Sequence, residues 1–239
     1  MALFRREPPF FEGGGRRRQL IVQSSPRARR LRLAVDPRNG DVRLTLPKRA
    51  SLRHALEWAE EKRDWIETEL SRLPLGRPIV PGCTIPLEGR PVLIDWRADA
   101  PRTIKREETR LTVGGPADML PSRILRWLRQ EALRILESET RIVAAQAGVS
   151  VGKVSVGDPK GRWGSCAVSG DIRYSWRLIL APPEVRRATV THEVAHRLHM
   201  DHSPAFHAAA ALLFGRDPAP ERRWLRENGS MLHWVGREA

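Results

Sequence analysis

Thr191-His192-Glu193-Val194-Ala195-His196 is the stretch that governs the reading of this chain, an H-E-x-x-H pattern. Its surroundings have helical spacing. Val185, Ala188, Ala195 and Leu198 fall near one face, and Pro182-Pro183 supplies a helix start. The spacing predicts a helix from there to about Met200. Helical residues four apart lie about 40° apart around the axis and ~6 Å apart along it. His192 and His196 can therefore offer imidazole nitrogens to one ion. Glu193, offset by one residue, can reach a water beside that ion without ligating the ion, as a general base would. Five of the seven histidines, at 192, 196, 199, 202 and 207, fall within sixteen residues.

A catalytic zinc needs a third protein ligand and an open fourth position. His202 precedes Ser203-Pro204, a second helix start, and a chain that turns there can return His202 to the pair. Glu221 lies 25 residues beyond His196 and suits a site completed by a glutamate from a later helix. His207 falls inside the next predicted helix. His199 stands ~10.5 Å along a continuous helix from His192, too far to share an ion with it. The order of preference for the third ligand is His202, Glu221, His207.

The 239-residue chain allows one or two domains, and its 41% hydrophobic content is that of a globular protein. No apolar run reaches the ~18 residues of a membrane helix, and the N-terminus lacks the apolar core of a signal peptide. Two distant cysteines, Cys83 and Cys166, exclude a disulfide-dense scaffold and favour a reducing, cytoplasmic setting. The net charge is +14, and only five of the 42 basic residues are lysine. Arginine suits phosphate recognition, so the charge admits a nucleic-acid partner, although GC-rich coding yields the same composition.

Three regions are expected: a flexible basic tail over 1–18, a β-rich region with one helix over 19–118, and a catalytic-type domain over 119–239. Arg30–Val35 and Asp41–Leu46 alternate around Asn39-Gly40, a hairpin signal. Ser51 can cap a helix running to about Leu73. Short strands over 78–113 precede a long helix from about Pro121 to Gly148. Strands follow at 153–156 and 172–180, then helices near 204–214 and 219–227. The 172–180 strand could align an extended peptide by edge pairing. His54 and His233 are isolated. Cys166 reads as a packed loop cysteine, because a cysteine nucleophile needs a positioned base.

Several ordered motifs accompany the H-E-x-x-H. They are Arg162-Trp163-Gly164-Ser165-Cys166, Ile172-Arg173 with Trp176-Arg177-Leu178, Ala181-Pro182, and His202-Ser203-Pro204 with Phe206. Together, over about residues 150–228, they resemble the YgjP-like zinc-dependent metallopeptidases, relatives of the SprT-like proteases. The resemblance implies an α+β, zincin-like metallopeptidase domain behind a β-rich N-terminal region. It implies Zn²⁺ held by His192, His196 and His202, with Glu193 as catalytic acid/base acting through a zinc-activated water on a protein or peptide substrate. His207 departs from the pattern, since the family commonly has Trp there. Arg162, Trp163 and Tyr174 are candidates for shaping the substrate cleft or supporting its loop. Three other readings stand beside this one: a DNA-associated protease, as the SprT-like relatives are; a non-catalytic zinc-stabilised binding module; and a hydrolase of another bond. The sequence determines no oligomeric state.

Overall fold

A computed structural model describes residues 8–237. Part of the expected basic tail, residues 1–7, lies outside them. The rest of that tail is ordered into a hairpin of β1 (Phe10–Gly13) and β2 (Arg16–Gln19). Gly14 and Gly15 turn it with φ of 58° and 72°. A Cβ on Gly13 would stand 2.3 Å from the Glu67 carbonyl oxygen, so glycine alone permits this approach. Phe11 is fully buried, and Arg16, also buried, donates to the carbonyls of Leu70 and Pro74. The expectation of a loose tail fails because Phe11 supplies core and Arg16 finds backbone partners.

The chain divides into two units at Gly76–Arg77. In the first, β3 (Ile21–Ser25), β4 (Arg32–Val35) and β5 (Val42–Pro47) form a sheet of order β3-β5-β4, with the expected β4–β5 hairpin antiparallel. Val42, Leu44 and Leu46 alternate inward, and a core of Phe11, Val42, Leu44, Ala55, Ala59, Ile66 and Leu70 joins sheet to helices. The single helix expected from Ser51 to Leu73 is two, α1 (Leu52–Glu61) and α2 (Arg63–Ser71), broken at Lys62. Ser51 Oγ does accept from the His54 N–H, at 3.4 Å.

The second unit spans Arg77–Arg237. Its larger sheet has the order β6-β7-β9-β8, with β6 at Thr84–Leu87, β7 at Arg90–Trp96, β8 at Lys105–Arg106 and β9 at Arg110–Val113. The long helix α3 (Leu120–Gln146) presents Ile124, Leu128, Ala132, Leu136 and Val143 as a buried stripe. Those residues share one core with Ile85, Val92, Ile94, Leu111 and Val113 of the sheet. The division therefore falls 40 residues earlier than the Gly114-Gly115-Pro116 break suggests. A sheet whose apolar face is covered by α3 cannot be a separate unit from it.

The smaller sheet has the order β10-β12-β11, from β10 (Val154–Gly157), β11 (Gly164–Cys166) and β12 (Ile172–Ser175). The strand expected over 172–180 stops at Ser175, and Trp176–Leu180 coil into a tight 3-10 turn. All five residues of the turn are buried, which an alternating strand does not allow. Ser175 Oγ caps the turn by accepting from the Arg177 N–H at 3.3 Å. The edge-pairing role expected for this strand also fails, because β12 is paired on both sides. Three helices complete the unit: α4 (Pro183–Ala195), α5 (Pro204–Phe214) and α6 (Ala219–Leu232).

The β6–β7 turn anchors the start of α4. The N–H groups of Glu88 and Gly89 donate to the carbonyls of Ile179 and Leu180 at 2.8 and 3.1 Å. Arg186 of α4, nearly buried, donates to Glu88 at 3.1 Å and to Glu139 of α3 at 2.7 Å. Among the described residues, no helix is long and apolar enough to cross a membrane.

Candidate metal centre

Helix α4 is shorter than its spacing suggests. It ends at Ala195, with His196 as its capping residue, and the N–H groups of Arg197 and Leu198 bond back to Val194 and Ala195. The early stop brings His202 round to the helix it left. Ser203 Oγ then accepts from the Phe206 N–H at 3.4 Å and opens α5.

The result is a cluster of three imidazoles. One ring nitrogen from each of His192, His196 and His202 lies within 4.8 Å of the other two. The Nε2 atoms of His192 and His202 stand 3.3 Å apart. Nitrogens ~2.05 Å from a tetrahedral ion are separated by about 3.3 Å, so this spacing fits zinc. His196 Nδ1 lies 3.1 Å from the His199 carbonyl oxygen. A carbonyl can only accept, so Nδ1 carries the proton and Nε2 keeps its lone pair for a metal. Phe206, fully buried, backs all three rings with centroid separations of 4.9, 4.5 and 4.8 Å. Burial, reinforced by the neighbouring imidazoles, pushes His192 down to about 4. It is thus neutral at pH 7, the form that binds metal.

The Glu193 carboxyl is buried beside this cluster. Burial pushes it up to about 7, while the positive charge of Arg162 acts in the opposite direction. It packs on the backbone of β11, where a Cβ on Gly164 would meet Glu193 Oε1 at 2.3 Å. A cleft of about 240 Å³ opens beside His192 and Glu193, walled by Trp163, Ala188, Pro218 and Leu225 with Arg162 among its polar lining.

The other expected residues sort clearly. Arg162 and Trp163 do line the cleft, and Trp163 also packs on His233 with ring centroids 5.4 Å apart. Tyr174 does not line it. Its ring is fully buried and its hydroxyl lies 3.0 Å from Thr140 Oγ1 of α3, so it supports the sheet from beneath. Burial pushes its phenol well above the usual range. Glu221, second choice as a ligand, borders the cleft but is paired with Arg216 and stands outside the imidazole cluster. His207, the third choice, lies outside it too, its ring 6.4 Å from that of His202. Cys166 and Cys83 are free and half-buried, and burial raises both thiols. Sequence reasoning missed the parts played by Phe206 and Gly164 in packing the site. Both sit inside the quoted motifs, but their contacts are with residues 4 to 29 positions away.

Among the described residues, six α-helices, several small sheets and three convergent imidazoles make up an α+β protein with a site able to hold a metal. A family model of the YgjP-like metallopeptidase domain matches residues 29–228, and the chain belongs to that family. No curated protein and no solved structure matches it.

Proposed function

We propose that the chain is a zinc-dependent metallopeptidase of the zincin type, hydrolysing peptide bonds in a protein or peptide substrate. The observation that carries this reading is the placement of the buried Glu193 carboxyl beside three convergent imidazoles at a cleft. His192, His196 and His202 would hold the ion. When bound, zinc supplies Lewis acidity and lowers the pKa of water toward neutrality.

The chain's own residues do the rest. Glu193 accepts a proton from the attacking water and returns it to the leaving amine. Its position against the Gly164 backbone restricts the carboxyl's movement. Trp163, Ala188, Pro218 and Leu225 exclude water from one side of the reacting group. The substrate strand would pair with β11, which is a sheet edge. The bonds to β12 use the Trp163 carbonyl and the Ala167 N–H, so alternation turns the backbone groups of Gly164 and Cys166 outward. The free cysteines suit a cytoplasmic setting.

The test is cleavage of unfolded casein and a mixed peptide library by zinc-loaded enzyme and its Glu193→Gln variant. The variant is expected to keep one zinc and to lose ~10²–10⁴-fold in rate. Zinc-loaded wild type that cuts no peptide would sink the reading. Equal rates in the two would remove Glu193 from the mechanism. Bound zinc with no activity in either protein leaves the binding-module alternative standing.

A further inference from the structure

Several arginines of the N-terminal unit have an acidic partner. Arg38 pairs with Asp36, Arg43 with Asp41, Arg53 with Glu57, Arg63 with Glu60 and Glu67, and Arg72 with Glu69. The segment leading from β3 into β4 differs from these by its density of charge. It reads Pro26-Arg27-Ala28-Arg29-Arg30-Leu31-Arg32, and its four arginines are exposed. None of them forms an ion pair among the described residues. Four like charges within six residues repel one another.

These arginines border a groove of about 1010 Å³. Its other walls include Gln23, Thr45 and Trp58. Register places Gln23, Thr45 and Arg32 in one row across the three strands, on the sheet face away from Leu44 and Leu46. Gln23 Nε2 donates to Thr45 Oγ1 at 3.3 Å. Trp58, half-buried in α1, adds an aromatic wall.

We propose that this groove binds single-stranded nucleic acid. The guanidinium forks would take successive phosphates, and Trp58 would offer a stacking surface to a base. The chemistry separates this ligand from other polyanions. A membrane surface calls for exposed apolar side chains among the cations, and residues 26–33 carry no exposed large hydrophobic side chain. An acidic protein would use the charges but not the concave aromatic wall. A duplex hides its bases from such a wall. The groove belongs to the N-terminal unit, so the proposal holds or fails independently of peptidase activity.

The test is fluorescence anisotropy of the full chain with a labelled dT 20-mer or U 20-mer, over 50–300 mM NaCl. Four phosphate contacts at ~0.7 each give a log–log salt slope of about −2.8. In R29A/R30A the slope is expected to shallow by about 1.4, with affinity down at least tenfold at 100 mM salt. R27A/R32A, an independent pair, should behave alike. R223A/R226A removes the same charge from exposed positions of α6 and should leave the slope unchanged. Three results would overturn the proposal: no binding of either strand by wild type at 50 mM salt, equal losses in the groove and α6 variants, or duplex or poly-glutamate binding as tight as the single strand.

Discussion

Gly164 leaves no room for a side chain, since a Cβ there would lie 2.3 Å from Glu193 Oε1 and 2.6 Å from its Cγ. Gly164→Ala therefore has to displace the carboxyl by about an ångström, a shift that can cost ~100-fold in rate. The expected variant is folded, keeps its zinc and cleaves peptides ~100-fold more slowly. A rate within twofold of wild type would show that the contact does not position Glu193. The histidines make a second contrast. His202→Ala removes one of three convergent nitrogens and should weaken zinc at least ~100-fold in a chelator competition. His207→Ala and Glu221→Gln should leave zinc affinity unchanged, because neither group joins the cluster.

The elements that carry the site are held by buried arginines. Arg177, in the turn after β12, donates to Asp158 at 2.7 Å and to the carbonyls of Leu232 and Val235 at 2.7 and 3.1 Å. It thus joins the smaller sheet to the end of α6. Arg177→Met strands two carbonyls at ~1–3 kcal/mol each and leaves Asp158 without its cation. Asp158 is a third exposed, so the lost ion pair adds less than a fully buried one would. A stability loss of about 3 kcal/mol is expected by urea unfolding. The same pair has a pH signature. Burial pushes the Asp158 carboxyl up, but the hydrogen bonds and charge of Arg177 outweigh it and hold the net value below the usual range. The unfolded chain then binds the proton more readily, so stability rises with pH through this window. The contribution is complete above the ordinary aspartate value of about 3.9 and disappears as pH falls through the lower folded value. Asp158→Asn should narrow its gap to wild type as urea midpoints are taken from pH 5 down to pH 2. A gap constant over that range would mean that the carboxylate charge is not what Arg177 contributes.

At the scale of the molecule, the division at Gly76–Arg77 makes a direct prediction about fragments. A fragment of residues 77–239 keeps the larger sheet, α3 and all three histidines. It should unfold cooperatively and bind one zinc. A fragment of residues 119–239 loses Ile85, Val92, Ile94, Leu111 and Val113 from the core that supports α3. At ~1.5–3 kcal/mol for each buried side chain, that loss is as large as the whole stability of an ordinary domain. The shorter fragment should show no cooperative transition. A cooperative, zinc-binding 119–239 fragment would return the boundary to the Gly114-Gly115-Pro116 break.

The histidine spacing, the helix starts at Pro183 and Pro204, the β4–β5 hairpin and the long α3 were all legible in the residues, because each rests on local periodicity or turn chemistry. The two ends of the chain's central reading were less so. The 172–180 run is apolar enough for a strand, yet a buried Arg177 requires Asp158 and α6, which are distant in sequence, and that requirement ends the strand at Ser175. The hairpin at residues 10–19 depends likewise on Arg16 meeting the carbonyls at the end of α2. His202 could be preferred from the sequence over Glu221 and His207, but only the fold brings its ring nitrogen within 3.3 Å of His192 and turns Glu221 to Arg216. Residue types and their spacing determined which side chains could do chemistry. Tertiary structure decided which of them meet, because burial and long-range hydrogen bonds are set by residues that no local window contains.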